Sequence, residues 1–480
     1  MIKLTSEVKT IIPLLPFIIL SISGLILLLF TRVKSLENLS KLLALLSGLT
    51  SFIVLFFLPK NPLTTLNYSF IHDGLTVCAE ISVLTAIIYT VLTGFEYESR
   101  FRRKPEYYAL LLFSSAGMLV LAGGGSLISI FVGLELTSLP LYILAGFMRD
   151  DEASFEAGVK YFLLGSFASA LFLMGIAFTF GGTGFVLLKD IAARISSRDA
   201  SLVIYVGYIF LIGGLFFKIA IVPFHLWAPD VYQGSPSPVA GFMSVAVKAA
   251  AFPVLIRLLN GVFHNLSPVW EQTIYTFSII TVIWGSLLGI VQEDFKRLLG
   301  YSSIVHAGFI LIALLNTVDG GKSAAFYIII YTLMNIGAFG VVTSLSTQNA
   351  ERTSIESLRG LFIKDPFLAF MLLVFAFSLA GIPPTAGFWA KFYVFKSAIG
   401  AGYILPVIIL LLGAVVSLYY YLKLLVYSFF YSPSNTEPIE KRWVLRLSLL
   451  LLSIKILYFG IYPNDLLRFF SISPFAILGK

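Results

Sequence analysis

Apolar runs of about 20 residues recur along this chain, divided by short polar or Gly/Pro-rich breaks. A run of that length crosses the hydrocarbon core of a bilayer as a helix, and in hydrocarbon only helices and closed barrels leave no backbone N–H or C=O unsatisfied. The runs begin near residues 11, 40, 73, 106, 126, 156, 202, 237, 270, 298, 322, 366, 402 and 442, which gives about fourteen spans. The expected fold is therefore all-α and integral to a membrane, a single polytopic unit over residues 1–480. Composition agrees: 58% of the 480 residues are hydrophobic and 12% are charged, against about 25% charged in an ordinary soluble domain. Lys3 and Lys9 precede the first run, which is too long for a signal-peptide core and is followed by Thr31-Arg32-Val33-Lys34 with no small-residue cleavage site, so this helix is expected to be retained.

An even number of spans places both termini on one side. The dense basic groups follow odd-numbered spans: Arg32, Lys34 and Lys41; Arg100, Arg102, Arg103 and Lys104; Lys296 and Arg297; Arg352, Arg359 and Lys364; Lys441 and Arg442. The positive-inside rule puts those loops in the cytoplasm and both termini outside, with Lys189, Arg194 and Arg198 running mildly against it.

Two spans are interrupted by proline. The seventh contains Lys218-Ile219-Ala220-Ile221-Val222-Pro223-Phe224-His225 and the twelfth contains Ala380-Gly381-Ile382-Pro383-Pro384-Thr385. Proline removes a donor and clashes one turn back, so each helix should break, and freed backbone groups at membrane depth are tolerated only inside protein or beside water. The breaks lie five spans apart, and a five-helix unit begins on opposite sides of the membrane in successive copies. Spans four to eight and nine to thirteen are thus expected to form two inverted five-helix repeats, each with one broken helix, an arrangement that marks ion paths in transporters. The expected subdivision is a three-helix N-terminal segment (1–104), a first repeat (105–260), a second repeat (268–432) and a C-terminal helix and tail (440–480).

Five ionisable residues within the apolar runs stand out as candidates: Glu135, Lys218, Lys248, His306 and Lys391. A charge at the centre of a spanning helix costs roughly 2.5–3.5 kcal/mol on insertion scales, so such residues are functional candidates. Lys248 sits near the middle of span eight, too deep for its stem to snorkel to an interface. Glu135 is also mid-span, and a lysine partner would make its protonation switchable; the alternative is a static ion pair locking two helices. Lys218 and Lys391 flank the two breaks, where hydrated pockets form, although either can snorkel if its helix is unbroken. His306, within Tyr301-Ser302-Ser303-Ile304-Val305-His306, has an ordinary pKa of about 6.5 that suits a proton relay, the alternative being a hydrogen-bonded core histidine. Lys160 is a weaker candidate that can simply pair with Asp150, Asp151 or Glu152. The run Tyr419-Tyr420-Tyr421-Leu422-Lys423 is read as an interfacial aromatic belt in preference to a pathway, which leaves Lys423 a weak candidate too.

Other chemistries are excluded or unsupported. The net charge of +8 is dispersed between apolar runs and forms no basic face for nucleic acid. The single cysteine, Cys78, rules out an intrachain disulfide, a cysteine zinc site and an iron–sulfur cluster held by this chain's own thiolates. No nucleotide loop, HExxH or nucleophile elbow is present.

Several long motifs in order resemble the antiporter-like, proton-translocating membrane subunits of respiratory complex I, and the subunit N type among them. They are Leu134-Glu135-Leu136-Thr137-Ser138-Leu139-Pro140-Leu141-Tyr142, Lys160-Tyr161-Phe162-Leu163-Leu164-Gly165, Val222-Pro223-Phe224-His225-Leu226-Trp227 leading to Pro229-Asp230-Val231-Tyr232, Tyr301-Ser302-Ser303-Ile304-Val305-His306-Ala307-Gly308, and Leu379-Ala380-Gly381-Ile382-Pro383-Pro384-Thr385-Ala386-Gly387-Phe388 before Lys391. The resemblance implies that Glu135 pairs with Lys218, that Lys248 is the central lysine, that His306 relays between halves, and that Lys391 is the terminal lysine where the M type carries glutamate. Departures are Trp389-Ala390 before Lys391, where glycine is usual, and Val247 before Lys248, where proline is common. The resemblance further implies a translocase subunit of a NADH:quinone oxidoreductase in a prokaryotic inner membrane, a thylakoid being the lesser alternative. Its partners would be sister antiporter-like and small membrane subunits. It would bind no cofactor itself, with NADH, flavin, iron–sulfur centres and quinone in other subunits. The rival activity is that of a cation/proton antiporter subunit, and a third reading makes the charges purely structural.

Overall fold

The computed structural model describes residues 11–472 except 33, 60, 96, 102, 198–199, 348–350 and 434–438; Lys3, Lys9, Arg102 and Arg198 lie outside the described residues. Twelve helices are long and apolar enough to cross a membrane. They are α1 (Ile12–Phe30), α2 (Leu36–Leu55), α3 (Gly74–Gly94), α4 (Lys104–Ala122), α5 (Leu127–Ala145), α6 (Glu152–Thr183), α7 (Leu202–Ile219), α9 (Ser237–Val262), α10 (His264–Ile290), α12 (Gly320–Leu345), α15 (Ile404–Phe430) and α16 (Trp443–Ile461). Between them lie the short α8 (Trp227–Gly234) after α7, α11 (Phe295–Ala313) after α10, and the pair α13 (Pro366–Ala380) and α14 (Ala386–Gly400) after α12. Helix α11 has spanning length, but Lys296, Arg297 and His306 lower its mean hydropathy; α13 is too short because its span is broken. Counting those two, the crossings match the number of apolar runs. A two-stranded antiparallel hairpin, β1 (Leu63–Thr65) and β2 (Phe70–His72), precedes α3.

Contacts between connections sort them onto two opposite faces. After odd-numbered spans, Glu351 meets Tyr97, Ser237 and Lys296, while Arg442 donates to the Thr343 and Ser346 carbonyls. After even-numbered spans, Phe70 bridges Gly124, Ser126 bridges Leu187, Arg257 reaches Asp73, and Asn316 donates to the Ser397 carbonyl. These are called the odd and even faces below. Helix α9 is buried from Ser237 to Asn260 and α12 from Ser323 to Leu345, and α9 packs on α3, α4 and α12. The outermost helices α1, α2, α6 and α10 instead expose Leu, Ile and Phe, as lipid-facing surfaces do.

The two broken helices are built alike. Helix α7 ends on Ala220 at φ 61°, with the Ile221 N–H donating to the Phe216 carbonyl; α13 ends on Gly381 at φ 84°, with the Ile382 N–H donating to the Phe377 carbonyl. Each is a Schellman-type stop, which satisfies the last carbonyls of the first half-helix before proline redirects the chain. Alanine in the left-handed region is uncommon, so Ala220 is held there by its surroundings, among them the Val222 N–H bond to Thr281 Oγ1 at 3.1 Å. At the second break α16 acts as a buttress: Trp389 Nε1 donates to the Gly460 carbonyl at 2.8 Å, and a Cβ on Gly460 would lie 1.9 Å from the Pro384 carbonyl oxygen. Gly460→Ala should therefore push backbone against backbone and destabilise by about 1–3 kcal/mol, read as earlier thermal loss of the assembled protein. Gly321→Ala, whose Cβ would find no atom nearer than 3.9 Å, should not.

Candidate functional site

Helix α5 carries Pro140 within it and lines up Glu135, Ser138 and Tyr142 toward the end of α7. Lys218, in the last turn of α7 and 3% exposed, donates to Ser138 Oγ at 2.6 Å and lies 3.4 Å from Tyr142 Oη. Glu135 is half-buried, and its Oε1 has no hydrogen-bond partner among the described residues. The direct Glu135–Lys218 ion pair that the resemblance implies is thus not formed; a hydroxyl one turn along the same helix takes the ammonium instead. This geometry also departs from the static ion pair weighed for Glu135.

Lys248, 2% exposed, lies eleven residues after Ser237 at one end of α9 and nine before Arg257 near the other. Its ammonium donates to Ser303 Oγ on α11 at 2.5 Å. Next to Ser303, Ser302 Oγ bonds Tyr421 Oη at 2.5 Å, Tyr421 Oη lies 3.1 Å from His306 Nε2, and His306 Nδ1 lies 2.6 Å from Tyr327 Oη. Both imidazole nitrogens are therefore engaged, and a proton arriving at one can leave from the other as the tautomer changes. Tyr331 packs against His306 with ring centroids 5.0 Å apart and the planes tilted by 36°, and its hydroxyl accepts from Asn335, which also reaches Ser244. The aromatic-belt reading of 419–423 needs correction: Tyr420 and Tyr421 are fully buried, and only Lys423, donating to the Gln292 carbonyl, sits at the odd face. A pattern of three tyrosines cannot show which of them face inward.

Lys391 lies on the second half-helix of its break, whereas Lys218 lies on the first. Its ammonium donates to the Ala380 carbonyl at 2.7 Å, the C-terminal end of α13, where orphan carbonyls and the helix dipole favour a cation. Its stem packs over Gly381, where a Cβ would fall 2.8 Å from Lys391 Cδ. Phe309, one turn after His306, separates it from the histidine and lies 5.3 Å under its Nζ.

Lys160 is partly exposed and pairs with Glu156 at 2.6 Å and Asp230 at 3.1 Å, in place of the acids at 150–152. Asp230 also binds Arg297. Lys296 donates to the Ser235 carbonyl at 2.7 Å and pairs with Glu351, so the first turn of α11 holds α8 at two points. Glu351 caps α9 as well, accepting from Ser237 N–H at 2.9 Å. Burial pushes the Glu351 carboxyl up, but Lys296, Tyr97 and the Ser237 N–H outweigh it and hold it below the usual carboxylate range. As one of several acids in a loop that also carries Arg352, Arg359 and Lys364, Glu351 left no sequence signal. The buried set His72, Asp73, Glu80 and Arg257 was likewise missed, although Glu80 and Arg257 fall inside long apolar stretches.

Residues 124–417 match the family model described as NADH:quinone oxidoreductase/Mrp antiporter, transmembrane. The chain belongs to this family. The match holds all five candidates from Glu135 to Lys391. A subunit N 1 of NADH-quinone oxidoreductase from Thermodesulfovibrio yellowstonii is 40% identical over 411 residues, 85% of this chain and 88% of that protein. The respiratory complex I of Thermus thermophilus with bound aureothin contains a chain similar at TM-score 0.82 and 34% identity, over 94% of this chain and 98% of that one. A chain of the Mrp complex from a Dietzia species shares the fold at TM-score 0.85 and 19% identity, over 96% of each chain. Family membership and geometry agree on an all-helical membrane subunit whose buried lysines, histidine and hydroxyls run through the bundle.

Tyr421→Phe removes the hydroxyl between Ser302 and His306 while keeping the ring, and should slow proton transfer on the order of tenfold or more in the assembled complex, measured as proton pumping in vesicles. Glu351 has a folded-state pKa below its unfolded value, so the stability it adds is present above the unfolded value and lost as pH falls through the folded one. Melting wild type and Glu351→Gln across that range should show a gap at neutral pH that closes on acidification.

Proposed function

We propose that this chain translocates protons as a membrane-arm subunit of a NADH:quinone oxidoreductase in a prokaryotic inner membrane. The observation that carries the reading is Lys248: an ammonium 2% exposed at the centre of the bundle, held by a neutral serine with no carboxylate within ion-pair reach among the described residues. A lysine that served only to lock helices would be expected to hold a counter-ion, because an uncompensated buried charge is strongly destabilising. One held by a hydroxyl is poised to give up and regain a proton.

Quinone reduction in another subunit would alter the charge beside Glu135, and with it the energy of the Lys218 ammonium across Ser138. The proton then passes to Lys248, and from there by Ser303, Ser302, Tyr421 and His306 toward Lys391. Carrying one proton against about 150 mV takes about 3.5 kcal/mol, scaling from about 2.3 kcal/mol per 100 mV. A counter-charge moved by a few ångströms at low effective dielectric supplies several kcal/mol at most, which is commensurate. Inverted repeats over 105–260 and 268–432 accord with the matched Schellman stops, and the basic loops favour an odd face in the cytoplasm with both termini outside. NADH, flavin, iron–sulfur centres and quinone would lie in other subunits of the complex, while sister antiporter-like and small membrane subunits would be the partners of this chain.

Membership of a family that includes Mrp antiporters keeps one rival, a cation/proton antiporter subunit. Sodium-dependent proton exchange by the isolated chain in liposomes would favour it. Lys248→Ala in the purified complex should abolish most proton pumping and slow coupled quinone reduction. Pumping stoichiometry and rate equal to wild type would leave the lysine structural and sink the relay.

A further inference from the structure

A second group of buried ionisable residues lies outside the series from Glu135 to Lys391. His72 ends β2 and Glu80 lies two turns into α3, each 1% exposed. Their nearest approach is Nδ1 to Oε2 at 3.9 Å. Among the described residues, Glu80 Oε2 has no hydrogen-bond partner, and neither imidazole nitrogen has one of normal geometry, although the ring faces the Pro59 carbonyl. Burial holds the His72 pKa below its ordinary value and outweighs the opposing pull of Asp73, so the ring is neutral at neutral pH.

The adjoining charges show that this is not a half-made ion pair. Arg257 binds Asp73 at 2.6 Å and Thr76 Oγ1 at 2.7 Å and also donates to the Ala122 carbonyl, and the Thr76 N–H donates to Asp73 at 2.9 Å. The arginine therefore already has its carboxylate, and Glu80 is left over. Leaving a buried polar atom unpaired costs about 1–3 kcal/mol, and two adjacent ionisable groups bear that cost here. Position adds a second argument. Asp73 and Arg257 lie at the even face, opposite the Glu351 cap on the start of α9, and Lys248 is between them. The turn holding Glu80 packs on the turn after Lys248: Ala79, Ala249 and Pro253 line one small apolar cavity. His72, Asp73 and Glu80 fall outside the residues matched by the family model.

We propose that Glu80 and His72 form a proton-exchange pair connecting the region of Lys248 to the even face. This rests on the proton-translocating reading of Lys248. The 3.9 Å gap is about 1 Å beyond a hydrogen bond, which a small side-chain rotation closes. The carboxylic proton of Glu80 passes to His72 Nδ1, leaving carboxylate and imidazolium; loss of the Nε2 proton at the even face gives the neutral Nδ1–H ring, a return to the Nε2–H tautomer frees Nδ1 to accept again, and a proton from the interior restores the acid.

The test uses the purified complex, with infrared difference spectroscopy during turnover and proton pumping in proteoliposomes. Glu80→Gln should remove one deuterium-sensitive protonated-carboxyl band and reduce pumping on the order of tenfold or more. Glu80→Asp should shift the band and retain part of the pumping, and His72→Gln should shift the band while keeping it. If Glu80→Gln fails to assemble, the Asp and His72 variants decide by the same two readouts. Wild-type pumping with an unchanged band in Glu80→Gln, or in both other variants, overturns the pair. Loss of pumping in Lys248→Ala beside that result leaves the relay standing; normal pumping in Lys248→Ala overturns the relay and, with it, the connection of the pair to Lys248.

Discussion

An ammonium inside hydrocarbon must find an oxygen, and the architecture of this protein follows from how three lysines do so. Lys218 takes a serine hydroxyl on α5, Lys248 a serine hydroxyl on α11, and Lys391 the last carbonyl of the half-helix before it. None is neutralised by a carboxylate within ion-pair distance among the described residues. Each contact joins two elements that are distant in sequence or split by a break, so the sites that can move a proton are also sites that hold helices together. Neutral oxygen partners let a lysine gain and lose a proton without leaving a stranded counter-charge, which a tight ion pair does not.

The breaks make the third arrangement possible. An unbroken helix has no free carbonyl at membrane depth, whereas α13 ends there and turns its terminal oxygens toward Lys391. Two matched Schellman stops are used differently, since Lys218 belongs to the half-helix before its break and Lys391 to the half after. At the odd face Glu351, Lys296 and Arg297 tie α8, α9 and α11, so the helices bearing Lys248 and His306 start from one clamp.

Much of this was legible in the sequence. Apolar length fixed the helices as spans, and proline located both breaks to within a few residues, because bilayer thickness and proline sterics act on local sequence. Burial of Lys218, Lys248, His306 and Lys391 followed from depth within long apolar runs. Partners were much less legible. Glu135 was expected to hold Lys218 directly, and Ser138 stands there instead; three helix turns along α5 offer candidates, and only packing selects one. Tyr421 reads the same as Tyr419 in sequence, yet one bonds His306 and the other is exposed.

Sequence alone thus determined that the chain is an all-helical membrane subunit with charges at depth, since the energy of placing a residue in hydrocarbon depends on that residue and its neighbours along the chain. Tertiary structure alone decided which oxygen each charge meets, that Ser302, Tyr421 and His306 are joined, and that Glu80 and His72 adjoin without pairing. Those are contacts between residues far apart in sequence, set by helix rotation and packing, which no local periodicity encodes.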